Sequence, residues 1–301
     1  MFSKGFFTSV FALATCLLSI SAEEESKVYL SSHSLNKPYI DEKMRSKNFE
    51  FGGDTVVHTF KGIELTGDLT SRAGWLWSKH ALPTMSWEVE FEFKVHGEGR
   101  RISGDGFAFW ATTNDPETGD VFGSVNNFNG LGVFFDTYAN SQHDHYFPYV
   151  SAMIGDGKTP YNVEKDGEPT KLGGCEANFR NRQLPTKALV RYIQKKHIQV
   201  KLLLNEEGTW VDCISLDHVS LPNIVYLGFS AHTGEVSDAH EIISITSHGL
   251  RNMTVPSSMP RPRQISVDES FGYFWKLMAI VVVGGLIYLI YRKNQQNHKR
   301  F

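Results

Sequence analysis

Cysteine is scarce: there are three in 301 residues. That excludes a small disulfide-built scaffold, and no cysteine set has the number or spacing of a zinc site. A charge excess is also lacking. Thirty Lys and Arg face 33 Asp and Glu, and no basic stripe marks a nucleic-acid partner. Long helical periodicity is missing, and no heptad segment predicts a coiled coil. Glycosylation sequons are rare, with Asn252-Met253-Thr254 the single instance. Long apolar runs occur only near the two ends.

The first run reads as a secretory signal over residues 1–22. Lys4 supplies its positive end, residues 6–20 are mostly apolar, and Ser19-Ile20-Ser21-Ala22 offers small residues for cleavage. The second, residues 271–291, is long enough to cross a bilayer as one helix. Lys276 lies near its lumenal end, and Trp275, Tyr273, Tyr288 and Tyr291 fit interfacial belts. Arg292 and Lys293 follow at once, which places residues 292–301 in the cytosol. Residues 251–270, with three prolines and no periodicity, read as a stalk. A lumenal body over residues 23–250 and a type I membrane topology are therefore expected. Cys16 leaves with the signal, and Cys175 and Cys213 in an oxidising lumen most simply pair.

The body carries short alternating segments punctuated by Gly, Asn, Asp and Pro. Trp87-Glu88-Val89-Glu90-Phe91-Glu92-Phe93 puts three carboxylates on one face. Residues 189–193, 197–204, 224–229 and 242–245 are further strand candidates. Phe107-Ala108-Phe109-Trp110 and residues 131–135 are apolar on both faces, as central strands between packed layers are. The pattern predicts an all-β antiparallel β-sandwich.

One stretch points to chemistry. Gly132-Val133-Phe134-Phe135-Asp136-Thr137-Tyr138-Ala139-Asn140 is a buried strand running into an oxygen-rich loop. Asp136 and Asn140 are hard donors four residues apart. Ca²⁺, which takes six to eight oxygens in flexible geometry, suits such a loop. An ordinary turn uses the same residues, so the motif needs company.

Company comes from Ser71-Arg72-Ala73-Gly74, from Gly104-Asp105-Gly106-Phe107-Ala108-Phe109-Trp110 and from Lys165-Asp166-Gly167. Gly174-Cys175, Trp210-Val211-Asp212-Cys213 and Gly228-Phe229-Ser230-Ala231 with Thr233-Gly234 continue it. Over residues 28–247 the chain resembles the L-type, leguminous-type lectins, in particular the cargo-receptor branch of the early secretory pathway. The short stalk and the end His298-Lys299-Arg300-Phe301 resemble the vesicular integral membrane lectin subgroup. The resemblance implies a legume-lectin-like jelly roll. It implies Ca²⁺ held by Asp136, the carbonyl of Tyr138, Asn140 and Asp166. Mannose would meet Ser71, Asp105, Asn140 and the backbone of Gly234, Glu235 and Val236. Cys175 and Cys213 would carry the family's disulfide. High-mannose N-glycans on secretory glycoproteins are the implied ligands, in endoplasmic reticulum and Golgi membranes. Lys299, Arg300 and Phe301 read as a sorting tail that contacts vesicle coats, or simply as cytosolic positive charge.

Two positions depart from the family pattern. A histidine is usual three residues before the second calcium aspartate, and Val163 stands there. Valine neither donates nor accepts a hydrogen bond. The last loop reads Gly234-Glu235-Val236 where Asp-Leu or Gly-Leu is common. A sugar-blind cargo adaptor of the same fold therefore stays open beside the mannose lectin. A glycoside hydrolase is a third reading, because paired carboxylates such as Glu88, Glu90 and Glu92 are what hydrolases need. Alternation along an open, solvated strand face explains the same pattern. His143 and His145 read as a solvated loop, or as a pair whose protonation near about pH 6 opposes Ca²⁺.

Overall fold

The computed structural model describes residues 26–100, 102–205 and 208–251. The expected signal segment, Asn252, the stalk, the membrane helix and the tail residues Lys299, Arg300 and Phe301 lie outside them. Among the described residues no helix is long and apolar enough to cross a membrane.

The described residues form fifteen strands. They are β1 (Ser26–Tyr29), β2 (Phe49–Gly53), β3 (Val56–His58), β4 (Gly62–Thr66), β5 (Arg72–Ser78), β6 (Trp87–His96), β7 (Gly106–Thr112) and β8 (Asn129–Asp136). The rest are β9 (Tyr149–Asp156), β10 (Gly173–Glu176), β11 (Thr186–Ile193), β12 (His197–Leu203), β13 (Val211–Asp217), β14 (Tyr226–Thr233) and β15 (Ala239–Arg251). One sheet runs β13-β12-β11-β6-β15-β4-β3, with β1 also on β15; the other runs β10-β9-β8-β7-β14-β5-β2. Every pairing between strands is antiparallel.

Alternation explains the core. Val89, Phe91, Phe93 and Val95 of β6 point inward and are fully buried. They meet Phe107, Phe109, Phe135 and Phe229 from the other sheet, with ring centroids 5.0–6.5 Å apart. Truncating any one of these rings costs about 3–5 kcal/mol. The disulfide Cys175–Cys213 joins β10 of one sheet to β13 of the other.

Strands β7 and β8 are buried on both faces, as their composition predicts. Their outer cover is not a further sheet. Loop residues Phe122, Phe128 and Tyr161 pack with Trp110 and Phe134 into a second apolar cluster. The expected strand at residues 224–229 begins at Tyr226, leaving Ile224 exposed. Pro222 precedes it and has no N–H to give a ladder.

Outward-facing Glu88 is not solvated. It is buried, with Lys27 Nζ at 2.5 Å from one oxygen and Arg191 Nη2 at 2.7 Å from the other. Burial pushes its carboxyl up, but bonds from Lys27 and Arg191 outweigh this and hold it below the usual range. Glu90 pairs with Lys187 at 2.8 Å. A hydrolytic acid needs the opposite, a carboxyl held protonated by an apolar wall.

Candidate functional site

Antiparallel neighbours bring four chain segments to one end of the seven-stranded sheet. Gly106 at the start of β7 is opposite Asp136 at the end of β8. On the other side Gly106 is opposite His232 of β14, and Thr233 is opposite Arg72 of β5. Asp105, Asp136, Gly234 and Ser71 therefore converge although they are far apart in sequence. Gly106 is required at φ +147°, because a Cβ there would sit 2.3 Å from the Phe135 carbonyl oxygen.

Asp105 is held from several directions. Its N–H donates to the His232 carbonyl, and its own carbonyl accepts from Thr137 N–H and Oγ1. Its Oδ2 lies 2.6 Å from His232 Nδ1. The bond to Asp105 raises the His232 pKa above its ordinary value, against the effect of burial. Gly234 closes the other side: a Cβ there would come within 3.2 Å of the Asp105 carboxylate. Ser71 N–H donates to the Gly234 carbonyl, so those two loops are tied together.

The acidic half of the site is built by the loop after β8 and by a 3-10 turn, Val163–Lys165. Asp166 caps that turn in the left-handed region, which aspartate tolerates. Its carboxylate accepts from the backbone N–H groups of Asn140 and Ser141 and from Asn140 Nδ2 at 2.6 Å. Gly167 follows at φ +73°, where a Cβ would strike the Tyr161 ring. Asp136 Oδ1 accepts from Tyr138 N–H. Asp105, Asp120, Asp136, Asn140, Tyr161, Val163 and Asp166 line one cavity of about 40 Å³.

Carboxylates set the electrostatics of this cavity. Burial first, then the charges of Asp166 and Asp105, push the Asp136 pKa well above the carboxylate range. Burial, then the charges of Asp136, Asp166 and Glu168, push the Tyr161 phenol up. Four carboxylates and an amide converge on this small cavity, with Val121, Phe122 and Val163 as its apolar wall, and such a concentration of hard oxygens is what a divalent cation fits. Asp136, Asn140 and Asp166 line this cavity, and such an oxygen set suits Ca²⁺.

Of the sequence-derived residues, Asp105, Asp136, Asn140 and Asp166 share this cavity, and Ser71 and Gly234 line a separate cleft. Glu235 is exposed on the last loop, and Val236 packs towards Gly104 and Tyr138. Val163 faces the cavity and is 36% exposed. His143 and His145 do not form a solvated loop: their side chains are 4% and 12% exposed, and His143 Nε2 lies 2.5 Å from Asp166 Oδ2. Sequence reading missed His232, Asp120 and Tyr161. Strand parity was the available signal for His232, two residues before Gly234 and opposite Gly106.

The model of the legume-like lectin family matches residues 26–256. The VIP36-like protein of Mus musculus is 39% identical over 244 residues, covering 79% of this chain and 70% of that one. The vesicular integral-membrane protein VIP36 of Homo sapiens is 35% identical over 301 residues, covering 89% and 84%. The crystal structure of the VIP36 exoplasmic/lumenal domain in its Ca²⁺/Man3GlcNAc-bound form is similar with a TM-score of 0.70. It is 38% identical and covers 75% of this chain and 92% of that one.

Proposed function

Because the chain belongs to the legume-like lectin family, we propose that it is a non-enzymatic, Ca²⁺-dependent lectin for mannose-type N-glycans. The observation that carries this is the convergence of Asp105, Asp136, Asn140 and Asp166 on one small, oxygen-lined cavity. VIP36 binds Ca²⁺ and a mannose oligosaccharide in the related structure, which supports the same ligands here. When bound, Ca²⁺ offsets the carboxylate charge and ties the loop after β8 to the 162–167 turn. Asp105 then accepts from sugar hydroxyls, held by His232 and Thr137. The Gly234 loop closes over it with Glu235 and Val236 following, and Ser71 anchors that loop. An open cleft of about 460 Å³ between Ser71, Arg72, Thr118, His232 and Gly234 gives room for further sugar rings. A preset site of this kind avoids ordering its loops at the moment of binding.

The relatives' vesicular membrane character supports a cargo receptor of the endoplasmic reticulum and Golgi. In this reading residues 1–22 are removed, Asn252 is glycosylated, residues 271–291 span the membrane, and Lys299, Arg300 and Phe301 address vesicle coats. Replacing the three tail residues by Ala then redistributes the protein between those membranes, read by microscopy. An unchanged distribution refutes the tail's role.

Val163 favours a second reading, a sugar-blind adaptor, because it puts an apolar side chain on the cavity wall. Calorimetric titration with a high-mannose glycan, in Ca²⁺ and then in chelator, separates the two. Ca²⁺-dependent binding that Asp105→Asn abolishes establishes the lectin. A folded, Ca²⁺-loaded protein that ignores the glycan is the adaptor.

A further inference from the structure

His143, His145 and Glu168 converge beside the calcium cavity but are not part of its oxygen donor set. His143 and His145 belong to the loop between β8 and β9, and Glu168 opens the 3-10 turn Glu168–Thr170. One ligand atom from each lies within 4.8 Å of the others. His145 Nε2 is 3.1 Å from Glu168 Oε1, and His143 Nδ1 is 3.6 Å from the same oxygen. Zinc bonds of roughly 2.0–2.2 Å in a tetrahedron separate neighbouring donors by about 3.4 Å. The two observed distances bracket that value.

The surroundings are those of a held ligand set rather than of free side chains. The other nitrogen of His143, Nε2, meets Asp166 Oδ2 at 2.5 Å and Ser141 Oγ at 3.0 Å. A carboxylate behind an imidazole fixes its tautomer and turns the opposite nitrogen outward as a lone-pair donor. Here that nitrogen is Nδ1, which faces Glu168. The two imidazoles stack at 4.8 Å, and His145 also stacks on Tyr149 at 3.7 Å. Phe147 lies 5.3 Å from each ring and closes the apolar side.

We propose that His143, His145 and Glu168 form a second metal site, for a borderline divalent cation such as Zn²⁺, with water completing the tetrahedron. The donor chemistry separates it from the calcium cavity. Two imidazole nitrogens and one carboxylate suit zinc, whereas calcium takes six to eight oxygens. Lys171 Nζ already bonds Glu168 Oε1, so this point attracts positive charge. That is the oxygen facing both imidazoles, so a metal held there displaces Lys171 Nζ to the second carboxylate oxygen of Glu168, which is 37% exposed. Asp166 links the two sites, being a calcium donor on one side and the partner of His143 on the other. Zinc binding and calcium binding are therefore coupled, and reciprocally so. This site does not depend on the glycan reading, and glycan is not used to test it.

The test is calorimetric titration of the full chain in detergent with Zn²⁺ under saturating Ca²⁺. Co²⁺ replaces Zn²⁺ in a parallel sample to report tetrahedral coordination by visible absorption. The wild type takes up one equivalent of Zn²⁺ without releasing Ca²⁺. His145→Ala weakens that uptake at least tenfold, and so does the isosteric Glu168→Gln. Both variants retain the wild-type Ca²⁺ titration, which shows that they are folded. No uptake under saturating Ca²⁺, release of Ca²⁺ in equal amount, or unaltered uptake by both variants overturns the assignment.

Discussion

Asp136→Asn tests the calcium cavity through stability. In the metal-free chain Asp136 is a buried carboxylate whose oxygen accepts from the Tyr138 N–H, with Asp166 and Asp105 adding like charge. Its folded pKa therefore lies well above the unfolded value of 3.8. The folded state binds the proton more tightly, so this group destabilises the fold above its folded pKa. The penalty is relieved as pH falls through that pKa and is gone below the unfolded one. Each tenfold change in proton affinity is worth about 1.4 kcal/mol. Asparagine keeps the shape and the acceptor for Tyr138 but not the charge. In chelator near neutral pH, the variant melts at or above the wild type. Calcium reverses the order. At a free concentration about a hundred times Kd, linkage stabilises the wild type by about 2.7 kcal/mol. For a domain of this size that is about 5–10 °C in Tm. Asp136→Asn shows none of this gain. Differential scanning calorimetry in chelator and in Ca²⁺ reads both effects. A variant with the full calcium gain, or one melting far below the wild type in chelator, refutes the reasoning.

Val163→His restores a polar group to the cavity wall and tightens mannose binding by about two- to tenfold, roughly one hydrogen bond; glycan calorimetry measures it. His232→Ala frees the Asp105 carboxylate and weakens mannose binding by a similar factor, whereas His232→Asn, with an amide N–H in place of Nδ1–H, retains most of it. The wild-type stability advantage over His232→Asn is full below the unfolded imidazole pKa of 6.5. It fades as pH rises through the elevated folded value, read as Tm against pH. Replacing Cys175 and Cys213 by Ala opens a link spanning 38 residues and costs up to about 4 kcal/mol in denaturant unfolding.

The sheets were legible where one face is wet. Strands β6, β11 and β12 alternate cleanly, and their expected bounds agree with the observed ones to within a few residues. The doubly buried β7 and β8 were legible as apolar runs. What covers them was not, because Phe122, Phe128 and Tyr161 come from loops without periodicity. The residues proposed to hold Ca²⁺ stood out because Asp136 and Asn140 are close in sequence and Asp166 lies in a recognisable motif. His232 did not, because its role comes from strand register, which is long-range. The burial of His143 was hidden for the same reason: its partner Asp166 is 23 residues away. Glu88 was misread as solvated because alternation says which face a side chain takes but not what covers that face. Lys27 and Arg191, remote in sequence, do so.

The second apolar cluster on the outer side of β7 and β8 divides the candidate-site end of the sheet into a fixed floor and a replaceable rim. Asp105 and Asp136 flank the paired ends of strands clamped from both sides, so their spacing is inherited from the core. Val163 and Glu235 sit beside them on exposed positions that the core does not require. Exchanging rim residues alters what is recognised at small cost to folding, whereas exchanging floor residues risks both. The scaffold is thus open to change at its rim without rebuilding its floor.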